Sequence, residues 1–162
     1  MLRRRRGQAL TEFALLLPFL LVFLFGIIDV GRMVYAYNSV SNAAREAGRT
    51  AIVNQTEATI REKAAQQATA LGLPTAAPAG CPPAGGPTTD PAGTCVALRS
   101  ADATGACPTP TVVGCTAIVA VKWEWRAITP IIGDILGPLT LESTTSQAIE
   151  HVCADDPSCP DR

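Results

Sequence analysis

Two sets of residues in this chain could do chemistry. One is a carboxylate, Glu12, at the head of a long apolar run; the other is six cysteines, Cys81, Cys95, Cys107, Cys115, Cys153 and Cys159, all of which follow that run. An even number of cysteines confined to one side of a membrane crossing points to disulfides in an oxidising compartment. A metal site needs closer pairs and more histidines: no two cysteines are nearer than six residues apart, and His151 is the single histidine. His151, beside Glu150, reads as an ordinary surface residue, and no nucleophile elbow, Walker-type glycine loop or dinucleotide fingerprint is present. The expectation is therefore no catalytic residue, no metal, no cofactor and no enzyme.

Glu12 poses the sharper question. Phe13 to Ile28 are sixteen uncharged residues, which as a helix cover about 24 Å, short of the roughly 30 Å hydrocarbon core. Counting from Gln8 gives about 32 Å, which crosses, but Glu12 then lies inside the apolar layer, where an ionised group costs about 2.5 to 3.5 kcal/mol at the centre and less near an interface. A partner would offset that cost. Four arginines, Arg3 to Arg6, precede the run, whereas Asp29 and Arg32 balance each other after it, so the N-terminus is expected in the cytoplasm and the rest outside. The basic cluster thus reads as a topology signal; a net charge of −1 gives no pointer to nucleic acid. "GIIDVGRMVYAYN" offers no small-x-small site for removing the whole apolar segment.

Beyond the run, residues 29 to 71 contain no proline and are rich in Ala, Glu, Gln, Arg and Lys, so the helix is expected to continue to about Leu71. A helix from Gln8 to Leu71 would be about 96 Å long, more than one small domain covers. Ala43, Ala47 and Ala51 form a small-residue stripe at i, i+4 that admits another backbone at close range. Asp29 with Arg32 and Glu46 with Arg49 read as local i, i+3 salt bridges. Pro18 should bend or loosen the helix without ending it.

"RRRRGQALTEFALLLPFLLVFLFGIIDVGRMVYAYNSVSNAAREAGRTA" resembles the TadE-like pseudopilins, minor pilins of tight-adherence (Flp, type IVc) pili, over about the first fifty residues. The resemblance rests on Gly7 at the end of a basic leader, Glu12 five residues later, Phe13 after it, Pro18, and "NAAREAGR" at Asn42 to Arg49. It implies a cut by a prepilin peptidase between Gly7 and Gln8. It also implies an assembly role for Glu12 and Phe13, with Glu12 meeting the new Gln8 ammonium, that of an adjacent subunit above all. Implied partners are the peptidase, other pilins and pseudopilins of the same system, and membrane lipid, with no nucleic acid.

The exported part changes character twice. Residues 72–114, crowded with Pro, Gly and Ala, read as a disulfide-pinned loop. "TAIVAVKWEWRA" then alternates as a half-buried strand, with Val119, Val121, Trp123 and Trp125 on one face. Thr129 and Pro130 open a short helix with Ile131, Ile132, Ile135 and Leu136 on its apolar side, Gly137 and Pro138 stop it, and Leu139 to Ile149 form a second, antiparallel strand. If Arg126 lies opposite Leu139, Cys115 falls near Ile149 to Cys153, within reach of a Cys115 to Cys153 bridge. That is one of fifteen connectivities, and the other four cysteines stay unassigned. The pair is too small to stand alone and should pack its tryptophan face on the distal helix.

The expected fold class is α+β. A type IV pilin-like long N-terminal helix, membrane-spanning then amphipathic, carries a small disulfide-braced antiparallel β region. The expected organisation is a leader at 1–7, a transmembrane helix at 8–28, a helical stalk at 29–71, the loop at 72–114, strand-helix-strand at 115–153 and a tail at 154–162. The expected protein is a minor pilin anchored as a single-pass membrane protein. The other reading is a permanently anchored protein with an extracytoplasmic ligand- or envelope-binding domain.

Overall fold

A computed structural model describes residues 3–102, 105–108, 111, 113–150 and 152, with backbone alone for 3–6 and 130–132. Its element order is helix α1 (Arg3–Val53), helix α2 (Glu57–Gln67), a 3-10 turn (Thr69–Leu71), strands β1 (Ala92–Arg99) and β2 (Thr116–Trp125), helix α3 (Pro130–Leu136) and strand β3 (Leu139–Ala148). The α+β expectation holds: among the described residues there are one long apolar helix, one small antiparallel sheet in the order β1-β2-β3, and two disulfides.

The chain divides into two units. The first takes the described residues up to Tyr35 together with Arg126–Leu139, and so holds the apolar part of α1 and helix α3. Pro18 lies inside α1 without ending it.

The second unit, Ala36–Trp125 and the described residues from Thr140 onward, contains the sheet and the core. Ala36, Val40, Ala43, Ala44, Ala47 and Ala51 are buried on one stripe of α1, and from Val40 onward they cluster with Ile60 and Ala64 of α2, Ala117, Val119 and Val121 of β2, and Ile149. Their helical spacing gathers them on one face, and their small size lets sheet and helix approach closely. At Gly48 the approach is close: a Cβ there would stand 2.5 Å from Thr145 Cγ2 of β3. The alanine stripe is thus covered by this chain's own sheet.

Helix does not run unbroken to Leu71. α1 stops at Val53, where the buried Asn54 side chain accepts the Thr56 amide at 2.9 Å and Gln55 Nε2 donates to the Ala51 carbonyl at 3.1 Å. These side-chain bonds offer the backbone an alternative to the helical ladder. Helix resumes as α2, and the last helical turn closes at Leu71, before Gly72 at φ 63°.

A second correction concerns residues 72–114, expected as loop throughout. β1 lies inside that stretch and pairs antiparallel with β2 in the register Ala92↔Trp123 to Arg99↔Thr116. The preceding loop folds back on the sheet: Lys122 Nζ donates to the Thr88 carbonyl at 3.0 Å, and Cys81 is bonded to Cys95 on β1.

The tryptophan strand is as expected. Val119, Val121 and Trp125 are buried, and half-buried Trp123 donates its indole N–H to the Leu71 carbonyl at 3.0 Å. β2 and β3 are neighbours, and at the end of the pair Ile149 donates to the Cys115 carbonyl at 2.7 Å. Cys115 therefore does sit beside Ile149, yet its disulfide goes to Cys107 rather than Cys153. The cause is the segment the loop reading left unplaced. Cys107 donates its amide to the Leu98 carbonyl, and Ala106 bridges to Arg99, opposite the start of β2, so Cys107 arrives with its Cα 5.9 Å from that of Cys115. Cys153, Cys159 and His151 lie outside the described residues.

Candidate functional site

In α1 the large apolar side chains Leu10, Phe13, Leu15, Leu16, Phe19, Leu20, Phe23 and Leu24 are all exposed. Left uncovered by the described residues, they form an apolar surface far beyond what a soluble monomer leaves in water. This is one helix long and apolar enough to cross a bilayer, consistent with a single-pass membrane protein.

Glu12 stands on that helix, exposed, with Gln8 Nε2 donating to its Oε1 at 3.2 Å. Gln8 and Glu12 are thus on one face, a turn apart, while Phe13 projects from the next position and is exposed too. The Thr11 hydroxyl donates to the Gly7 carbonyl at 2.9 Å, and around Gly7 nothing lies within 4 Å of where a side chain would begin. The four residues singled out from sequence therefore fall together on two turns at the head of the exposed helix.

A second carboxylate site was not legible. Asp29, the first residue past the uncharged run, pairs with Arg32 at 3.4 Å as the spacing predicts. Its main partners are distant in sequence: the Ile128 amide donates to Oδ1 and the Thr129 amide to Oδ2, each at 3.0 Å, and Asp29 is only 3% exposed. Thr129 is indeed the N-cap of α3, with Pro130 in the first turn, but its side chain makes no cap bond to the helix. Instead the Thr129 hydroxyl is the largest influence holding the Asp29 carboxyl down, followed by the Ile128 amide, with the Thr129 amide and Arg32 adding to them against an opposing effect of burial; the result is a pKa lowered from 3.8 to about 2.

That direction fixes the sign of a pH effect. A depressed carboxyl pKa contributes stability that is present above the ordinary value and lost as pH falls through the folded one, here between about 4 and 2. Hydrogen exchange of the 126–139 backbone should be insensitive to this group from pH 7 to 5, allowing for intrinsic rates, and should lose protection toward pH 2. Asp29→Ala orphans two amides and should speed exchange at Ile128 and Thr129 by about tenfold or more at neutral pH. Asp29→Asn should remove the acid-dependent step.

Among the described residues no three His, Cys, Asp or Glu side chains gather as metal ligands. The cysteines that the structure describes are disulfide-bonded.

Fold and site together define a class: an α+β protein whose exposed apolar N-terminal helix carries a carboxylate near its head and is followed by a small disulfide-braced sheet. The comparison adds one finding: residues 7–49 are similar to the family described as TadE-like protein, which bears out the resemblance seen in that same segment. The matched stretch takes in Gly7, Glu12, Phe13, Pro18 and Asn42 to Arg49. No curated protein and no solved structure matches the chain.

Proposed function

We propose that this protein is a minor pilin or pseudopilin of a tight-adherence type IV pilus. The observation that carries the reading is the TadE-like match over 7–49 on a helix whose apolar side chains are uncovered and whose head bears Glu12. The chain inserts with its N-terminus in the cytoplasm and its sheet outside, where the two disulfides are stable. A prepilin peptidase cuts between Gly7 and Gln8, the basic leader is lost, and the helix enters a pilus or its initiating complex beside other pilins, supporting biogenesis or surface attachment. The part the protein plays is structural, and it is a substrate of the peptidase.

Mass spectrometry of the mature N-terminus, on protein purified from its native membranes, tests this. A start at Gln8 is expected. An intact Met1 or a start at Leu2 favours the permanently anchored protein with an outer binding domain, and a start beyond residue 30 overturns both membrane readings.

A further inference from the structure

In the first unit, the segment around α3 is clasped to α1 at one level. The Ile128 and Thr129 amides bond the Asp29 carboxylate, and Asp29 directly follows the uncharged run 13–28. Where that run spans a bilayer, the clasp lies at its outer boundary. Held at this level, the segment turns Ile128, Ile135 and Leu136 outward, 68%, 77% and 54% exposed. Three large aliphatic side chains in nine residues are an unusual load for a surface in water. They are not isolated, because α1 is also apolar and exposed on either side of the clasp, at Ile27, Ile28, Val30 and Val34. Tyr35, likewise exposed, follows within two turns of Asp29 and is of the residue type that gathers at headgroup level.

We propose that residues 126–139 are a membrane-seating element, with α3 lying in the outer interfacial layer of the bilayer and Ile128, Ile135 and Leu136 dipped into lipid. The inference rests on the reading of α1 as a membrane span. Lipid is favoured over a protein partner by continuity: the exposed apolar surface of the span runs without interruption to the level at which α3 is fixed. Asp29 is the part that sets depth. Its carboxylate satisfies two backbone amides that would otherwise enter the interface unpaired, and Arg32 neutralises its charge at the water side.

The test uses the full chain, one copy per nanodisc of phosphatidylethanolamine and phosphatidylglycerol. An environment-sensitive fluorophore is placed on Ile135→Cys, on Phe19→Cys in the span and on Glu142→Cys on exposed β3, with the unsubstituted protein labelled in parallel as background. Quenching is read with aqueous iodide and with lipid carrying a nitroxide near the headgroup. The expected result at position 135 is iodide quenching at least about threefold weaker than at 142, with strong quenching by the nitroxide lipid. Iodide quenching at 135 equal to that at 142, with 19 shielded, overturns the seating element and leaves the span intact. Shielding at 135 from both quenchers shows protein cover and also overturns it. Iodide access at 19 overturns the span and this inference with it.

Discussion

Replacing Glu12 by glutamine is expected to leave cleavage after Gly7 and membrane insertion nearly unchanged while cutting recovery of the subunit in sheared pili, or in the initiating complex, by about tenfold or more. The substitution keeps the shape of the side chain and an oxygen to accept from Gln8, whose amide stands 3.2 Å from the carboxylate. It removes charge alone. In the uncut chain Gln8 offers Glu12 only a neutral amide. Once the chain is cut, the same residue carries an ammonium, one turn away on the same face. In a low-dielectric layer a carboxylate and an ammonium attract strongly, and either one left without the other is expensive. A neighbouring subunit's ammonium, entering an assembly without Glu12 to meet it, carries that penalty. Immunoblots of sheared pili and of membranes, normalised to each other, give the measurement; equal incorporation of Glu12→Gln and the unsubstituted chain removes the charge pair from the account. Glu12→Asp, which keeps charge but draws it back by one methylene, should lie between the two.

Which features could be seen in the sequence follows from the range of the forces that make them. The β2–α3–β3 stretch was legible because its determinants are local: alternation put Val119, Val121 and Trp125 inward, and Thr129-Pro130 and Gly137-Pro138 bracketed the short helix. The apolar helix was legible for the same reason. The end of α1 was not, because Ala, Glu and Gln favour helix on both sides of Asn54, and the break is made by one side chain capturing the Thr56 amide. β1 escaped notice because "AGTCVALR" has little intrinsic strand character at its start and sits in a Pro- and Gly-rich stretch. Its hydrogen bonds come from β2, some 17 to 31 residues away by the observed register. Asp29 shows the limit most clearly: its i, i+3 pairing with Arg32 was readable, while the two amides that define it lie 99 and 100 residues further along the chain. Glu12 is the converse case. Its place and chemistry can be read from eleven residues, and the partner proposed for it belongs to a processed or neighbouring chain, outside what one uncut chain displays.

The disulfides carry the second large effect. Removing Cys81–Cys95 by a double change to alanine is expected to cost about 3 kcal/mol, through the freedom returned to the unfolded chain by opening a loop with separation 14. The structure gives reason to expect that full value. Between Gly72 and β1 the main buried apolar residue is Leu73, so the stretch has little hydrophobic burial of its own to hold it. Among the described residues β1 is also an edge strand of the sheet, with β2 on one side and no strand on the other. The sulfur on buried Cys95 therefore ties an otherwise weakly held loop to a strand that has only one neighbour. Cys107–Cys115 closes a loop with separation 8, and its removal should cost about 0.5 kcal/mol less by the same entropy argument. Denaturant unfolding of the full chain in detergent micelles, followed by the fluorescence of Trp123 and Trp125 on β2, separates the two variants, with Cys153 and Cys159 left in place in both. A larger loss on removing Cys107–Cys115 would mean that fastening the start of β2 to the β1 end matters more than loop length, and that the sheet is weakest where Cys107 meets Leu98 rather than along the proline-rich loop.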